Sequence, residues 1–218
     1  MDGTRVVLVR HGHSVAQEEG FLSGHDTCKG LSDLGRKQVE ALRDRLGRTG
    51  ELAGAAALYA SILPRAIETA ELLAPVVGGH AVRTDCGFCE AHVGEAEGKP
   101  YAELLEGLPE EWDEERRPFE GWETWREMGE RVARSLDATI EQHLGQTIVI
   151  ACHGGVIVHA MQRWLALEAP NRAGAAWFAP ANSSLTEFRG APNPYRSGTL
   201  AVELVRYNDH AHLAGRDL

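Results

Sequence analysis

The chain has 218 residues, 43% hydrophobic and 25% charged, enough apolar material for a sizeable core and too little polar bias for a disordered chain. Lysine and arginine number 22 against 32 aspartates and glutamates, a net charge of −10 with histidine neutral. Such a surface repels nucleic-acid duplexes and anionic membranes, so neither is expected as a partner, and an anionic substrate must be met by a local basic pocket.

The first element is a strand over 5–10, in which the apolar run Val6–Val9 ends abruptly in Arg10, His11 and Gly12. The opening "MDGTRVVLVRHG" is too short in apolar residues for a signal peptide, and no run approaches the roughly 18 needed to span a bilayer. A cytoplasmic location is therefore expected, with Cys28, Cys86, Cys89 and Cys152 as reduced thiols. "LSDLGRKQVEALRDRLG" at 31–47 reads as a helix, with Leu34, Val39, Leu42 and Leu46 on one side and Ser32 as its cap. A second strand covers 56–61. Pro64 then opens a helix whose stripe is Ile67, Ala70, Leu73 and Val77. A short third strand covers 81–85.

"CGFC" at 86–89 has the spacing of a zinc or redox half-site. A zinc site needs about four ligands, and neither a second cysteine pair nor a His-x-x-x-His is found; nor does a helix evidently follow, as a thioredoxin-like motif requires. The pair is read as packing thiols, and no metal or cofactor is expected. His210 and His212 are read as surface or supporting groups. Residues 99–121 are acidic, aromatic and interrupted by Pro109 and Pro118. They read as a short-helix insertion within a single domain spanning 1–218. A helix over 122–144 carries Trp125, Met128, Val132, Leu136 and Ile140 at helical spacing. A fourth strand, 147–152, runs into His153, Gly154 and Gly155 and a helix over 156–167. Strands at 183–188 and 199–207 flank a Gly/Pro-rich loop at 190–198.

Strands alternating with helices imply an α/β fold, a mainly parallel sheet covered on both faces, with ligands beyond the carboxyl ends of the strands. Two strands end in His-Gly, which places His11 and His153 on one rim, each followed by a glycine that lets a ligand approach the backbone. An imidazole can carry a phosphoryl group covalently, provided nearby charge stabilises the equatorial oxygens. Arg10 suits that role, and Arg65, in the first turn of its helix, adds a second guanidinium beside helix N-terminal amides. Arg65 on its own would read as an exposed helix charge. Glu90, the first carboxylate past the third strand, is placed to protonate a leaving alkoxide, whereas Glu95 and Glu97 read as solvated.

These blocks together resemble the histidine phosphatase superfamily, the phosphoglycerate-mutase-like proteins. "RHGHS", "GHDTCKGLSDLGRKQ", "SILPRAIETA", "EAHVGEAEG" and "ACHGGVI" match its blocks in order over nearly the whole chain. The resemblance implies a three-layer α/β/α sandwich with a mixed, mainly parallel sheet and a helical insertion. It also implies His11 as nucleophile, Arg10, Arg65 and His153 as a phosphate clamp, and Glu90 as proton donor. Gly12, Ser14, Gln17, Ser23, Gly24 and Gly154 then fall in the substrate loop or among supporting contacts. His13 and Gln17 stand where many members have Glu and Asn, and Trp122 occupies a small-residue position.

The resemblance favours a metal-independent phosphatase acting on a small phosphorylated metabolite. The second histidine is followed by Gly-Gly-Val-Ile and Gly24 by His25, where mutases of the family carry other residues. Arg116 and Arg117 point the other way, toward a 2,3-bisphosphoglycerate-dependent phosphoglycerate mutase, although a pair balancing the acidic insertion is the plainer reading. A non-catalytic phosphate-ester binder ranks behind both, because all five reactive groups are present. Tyr101, Trp112, Phe119 and Trp122 are assigned to a lid over the substrate, or equally to packing or a homodimer surface.

Overall fold

The computed structural model describes residues 3–107, 113–167 and 178–217. Its six strands are β1 (Arg5–Arg10), β2 (Ala57–Ala60), β3 (Val82–Thr84), β4 (Thr147–Cys152), β5 (Leu185–Pro192) and β6 (Leu200–Asp209). They form one sheet in the order β3-β2-β4-β1-β5-β6. The four strands from β3 to β1 are parallel, whereas β5 and β6 add antiparallel edges. The fold is the expected three-layer sandwich with a mixed sheet.

Alternation along the strands divides the core into two halves. Val6 and Leu8 of β1 face one side, where they pack with Ile148, Ile150 and Phe188 under α5 (Trp125–Gln142) and α6 (Gly154–Leu165). Val7 and Val9 face the other side and meet α2 (Asp33–Thr49) and α3 (Pro64–Leu73) through Val39, Leu42, Ala70 and Leu73. All four β1 residues are fully buried, which is why this strand reads as a continuous apolar run.

Helix termini follow local chemistry. Ser32 accepts a hydrogen bond from the Gly35 amide, Pro64 is the first residue of α3, and Thr124 with Glu127 forms a capping box that starts α5 at Trp125, three residues later than the apolar pattern suggests. A short helix that the apolar pattern missed, α1 (Val15–Glu19), is capped by Ser14 with Gln17 and closed by Gly20 at φ 77°. β5 and β6 also run further than expected. Their antiparallel ribbon continues to Pro192 and Leu200, so the Gly/Pro-rich connection shrinks to 193–199. Within the insertion, α4 (Tyr101–Gly107) is helical, and bridges from Phe21 to Pro100 and from Val93 to Trp122 stitch its flanks to the sheet rim. Pro109, Glu110, Glu111 and Trp112 lie outside the described residues. Among the described residues no helix is long and apolar enough to cross a membrane.

Candidate active site

β1 and β4 are adjacent and parallel, with Arg10 opposite Cys152. The residue after each is a histidine, so His11 and His153 emerge side by side, their ring centroids 5.1 Å apart. The His11 amide donates to the Cys152 carbonyl at 2.9 Å, which locks the step between the two strand ends. The ring's Nδ1 lies 2.6 Å from the Gly12 carbonyl, an acceptor only, so Nδ1 carries the proton. Nε2 is left with its lone pair and accepts from Arg65 Nε at 3.3 Å. Burial, then Arg65 and Arg10, hold the His11 pKa well below its ordinary value; burial, Arg65 and His11 do the same for His153. Both rings are therefore neutral at pH 7.

Arg65 is 5% exposed, not the solvated helix charge that it would be in isolation. Its Nη1 reaches the Ser23 carbonyl at 3.4 Å and the Ser23 hydroxyl at 3.5 Å, which draws the 20–30 loop over the rim. Arg10 donates to the Pro180 carbonyl, while its Nε and both ring nitrogens of His153 have no hydrogen-bond partner among the described residues. Buried donors are rarely left unsatisfied, and a tetrahedral oxyanion seated here would accept from Arg10 Nε and from the one N–H of the neutral His153 ring.

Glu90 is held by two backbone amides, Gly155 to Oε2 at 3.1 Å and Ala91 to Oε1 at 3.2 Å. The first comes from the start of α6, so the same helix N-terminus that follows His153 also positions the carboxyl group. A Cβ on Gly155 would sit 2.2 Å from Glu90 Oε1. Glycine at 155 thus leaves the room in which the Glu90 carboxylate sits, and any side chain there would push it away. Arg131 of α5 holds the Glu90 loop from below. It donates to the carbonyls of Cys86, Gly87 and Cys89 at 2.9–3.1 Å and pairs with Glu123 at 2.7 Å.

The remaining sequence candidates are distributed as follows. Ser14 and Gln17 form the α1 capping box, and Gln17 also bonds Asn182, whose Nδ2 donates to the His11 carbonyl at 3.0 Å. Gly12 departs from the expected reason for its glycine. Its absent Cβ would lie 2.5 Å from the Gly35 carbonyl, so the residue allows the turn after β1 to approach α2 closely. Its amide donates to Thr69, which in turn donates to the Arg65 carbonyl. Gly154 opens α6. Gly24 lies against Glu97, and here too the structure corrects the sequence: Glu97 is not a solvated charge. Its Oε1 accepts from the amides of Gly24, Asp26 and Thr27 and from the Thr27 hydroxyl. Burial alone would raise the Glu97 pKa, but these donors outweigh it and lower the value.

Arg116 and Arg117 separate. Arg116 lines a cavity of about 460 Å³ beside Glu90, together with Leu22, Val93, Trp122 and Met128. Arg117 turns away to the Trp122 carbonyl at 2.6 Å and Glu127 at 2.5 Å. Phe119 stacks on Trp122 at 5.8 Å, and Tyr101 lies close enough to Arg65 and Arg10 to feel both charges. Sequence reasoning missed Arg131, Gly155, Glu97 and Asn182. Of these, only Gly155 carried a signal, as the second glycine after His153.

The family described as "Histidine phosphatase superfamily (branch 1)" matches residues 6–200. Among curated proteins, the chain is 31% identical over 169 residues to phosphoglycerate mutase-like protein 4 of Arabidopsis thaliana, covering 75% of this chain and 72% of that one. It is 29% identical over 160 residues to the metal-independent phosphoserine phosphatase of the same plant, covering 71% and 66%. Among solved structures, a mycobacterial glucosyl-3-phosphoglycerate phosphatase complexed with VO3 superposes with a TM-score of 0.74 at 25% identity, covering 94% of this chain and 98% of that one.

Proposed function

The chain belongs to the histidine phosphatase superfamily, branch 1, and on that footing we propose that it hydrolyses the phosphomonoester of a small metabolite through a phosphohistidine at His11. The observation that carries this reading is the neutral His11 ring, with its Nε2 lone pair directed toward Arg65 amid the unsatisfied donors of Arg10 and His153. In the first step Nε2 attacks phosphorus as the ester P–O bond breaks, and Glu90 gives its proton to the departing alkoxide. In the second, Glu90 takes a proton from water as the water oxygen attacks the phosphohistidine, releasing phosphate and restoring neutral His11.

Charge on the transferring group is met by two guanidiniums and the imidazole N–H of His153, a set that asks for no metal in the chemical step. The cavity beside Glu90, apolar but for Arg116 and carboxylates at its edge, suits the organic half of the ester. Arg116, Tyr101, Ser23 and Gly24 are its proposed contacts, and a cytoplasmic setting with reduced thiols fits the substrate class. A phosphoglycerate mutase needs a second anion site. Of the arginine pair that suggested one, Arg117 is committed to Glu127, which favours hydrolysis.

The test is phosphoenzyme trapping. Brief mixing with a labelled phosphate ester in EDTA, followed by denaturation in alkali, should leave an acid-labile label on the wild-type protein and none on His11→Ala. A labelled His11→Ala protein would overturn the assignment. Interconversion of phosphoglycerates faster than phosphate release would establish the mutase instead, and binding of ester without either reaction would mark a binding protein.

A further inference from the structure

Beside the phosphate site, three side chains from separate segments converge. Cys86 Sγ lies 3.5 Å from His25 Nε2 and 3.7 Å from His92 Nε2, and all three atoms fall within 4.8 Å of one another. We propose that His25, Cys86 and His92 bind zinc(II), which clips the 20–30 loop to the loop carrying Glu90.

The two sulfur-to-nitrogen separations are those of a ligand set, and a small turn of the exposed His25 ring closes the third. With Zn–S about 2.3 Å and Zn–N about 2.05 Å, a tetrahedral ion holds sulfur and nitrogen about 3.6 Å apart. Both S···N separations already have that value. The imidazoles meet edge to face, with centroids 4.7 Å apart and an interplanar angle of 82°, so each presents a ring nitrogen to the same sulfur. A thiol has one proton and can donate to only one of them. A cation satisfies all three atoms at once. Thiolate and imidazole donors select a borderline-soft ion, zinc above magnesium or calcium.

The turn that presents the sulfur is rigid. Asp85 accepts from the Gly87 amide, and Arg131 fixes the carbonyls of Cys86, Gly87 and Cys89. Cys89 is not a ligand, since its thiol is buried against the Ser61 hydroxyl at 3.3 Å. The Cys-x-x-Cys spacing was thus misleading, because the site takes one of its cysteines and recruits a histidine 61 residues away in sequence. His25 is exposed and the other two are half-buried. An ion therefore enters from solvent and keeps a fourth position for water. His25 follows Gly24, and His92 lies two residues past Glu90. An ion at this site therefore ties together two loops of the substrate rim, and its bound form is expected to slow turnover.

Cobalt(II) is the probe, titrated into the reduced, metal-free protein. One equivalent should develop tetrahedral d–d bands and a thiolate-to-cobalt charge-transfer band, both displaced by zinc. Cys86→Ser should abolish the charge-transfer band, and His25→Ala and His92→Ala should each weaken binding by at least about tenfold. Cys89→Ala should retain the spectrum, with circular dichroism checking that every variant is folded. The proposal fails if no stoichiometric complex forms. It fails equally if the charge-transfer band survives Cys86→Ser or disappears in a folded Cys89→Ala.

Discussion

Gly155→Ala tests how Glu90, the proposed proton donor, is held, without replacing any of the proposed reactive groups. The added methyl would lie 2.2 Å from Glu90 Oε1 and 2.8 Å from Met128 Cε, whereas ordinary contact begins near 3.4 Å. The Met128 methyl ends a flexible side chain and can turn into the cavity that it lines, so the clash that decides the effect is the one with Glu90. The carboxylate must therefore withdraw by about 1 Å, losing the Gly155 amide bond. Misplacement on that scale costs about 10²-fold in rate, and general acid help is worth about 10²–10⁴ in all. The loss should fall where a proton is needed. For an alkyl phosphate, kcat/KM is expected to drop about a hundredfold, against less than about fivefold for p-nitrophenyl phosphate, whose leaving group departs with little protonation. Comparing the two esters in steady-state assays, with circular dichroism to confirm the fold, decides the matter. Equal losses on both esters, or an unimpaired alkyl phosphatase, would refute the placement of Glu90 as acid.

Stability should fall on mild acidification. Burial, assisted by neighbouring arginines, lowers His11 and His153 well below the ordinary value and His159 and His212 to about 4, so below about pH 6.5 the unfolded chain binds protons that the native state refuses. The stability that these rings contribute is complete above pH 6.5 and is lost progressively toward pH 4. Urea midpoints should drop between pH 7 and 5.5, above the range in which carboxylates titrate, and a flat or rising midpoint would contradict this. Arg131→Met leaves the half-buried Glu123 without its ion-pair partner and three carbonyls of the Glu90 loop without their donor, and should cost about 2–3 kcal/mol in urea unfolding, with a loss under about 1 kcal/mol ruling out the hub role. Glu97→Ala removes the acceptor for four donors in the loop over Arg65. KM for phosphate esters should rise about tenfold with kcat changed less, and an unaltered KM would dissociate that loop from substrate binding.

The order of elements and the two His-Gly strand ends could be read from the sequence because each is specified locally. An apolar run such as Val6–Val9 bounded by turn residues suits a strand buried on both faces, and the stripe from Val39 to Leu46 suits a helix with one face in the core. α1 escaped because five residues are too short to show a stripe, although the Ser14-to-Gln17 capping box is local and visible in hindsight. Arg131 was indistinguishable from the other charges of an amphipathic helix, because nothing in its neighbourhood along the chain reveals the carbonyls that it gathers from 86–89. Glu97 looked solvated for the same reason, its four donors lying some 70 residues earlier.

By itself, then, the sequence determined the class of fold, the rim on which chemistry collects, and the residue types able to handle a phosphoryl group. All of these rest on periodicity and adjacency, which a chain carries in one dimension. Only the tertiary structure decided which nitrogen of His11 keeps its lone pair, and how closely Gly12 approaches Gly35. It also separated Arg116 from Arg117 and brought His25 and His92 to the sulfur of Cys86. Those outcomes depend on directions and separations between segments far apart in sequence, and such vectors come into being only when the sheet and its covering helices have packed.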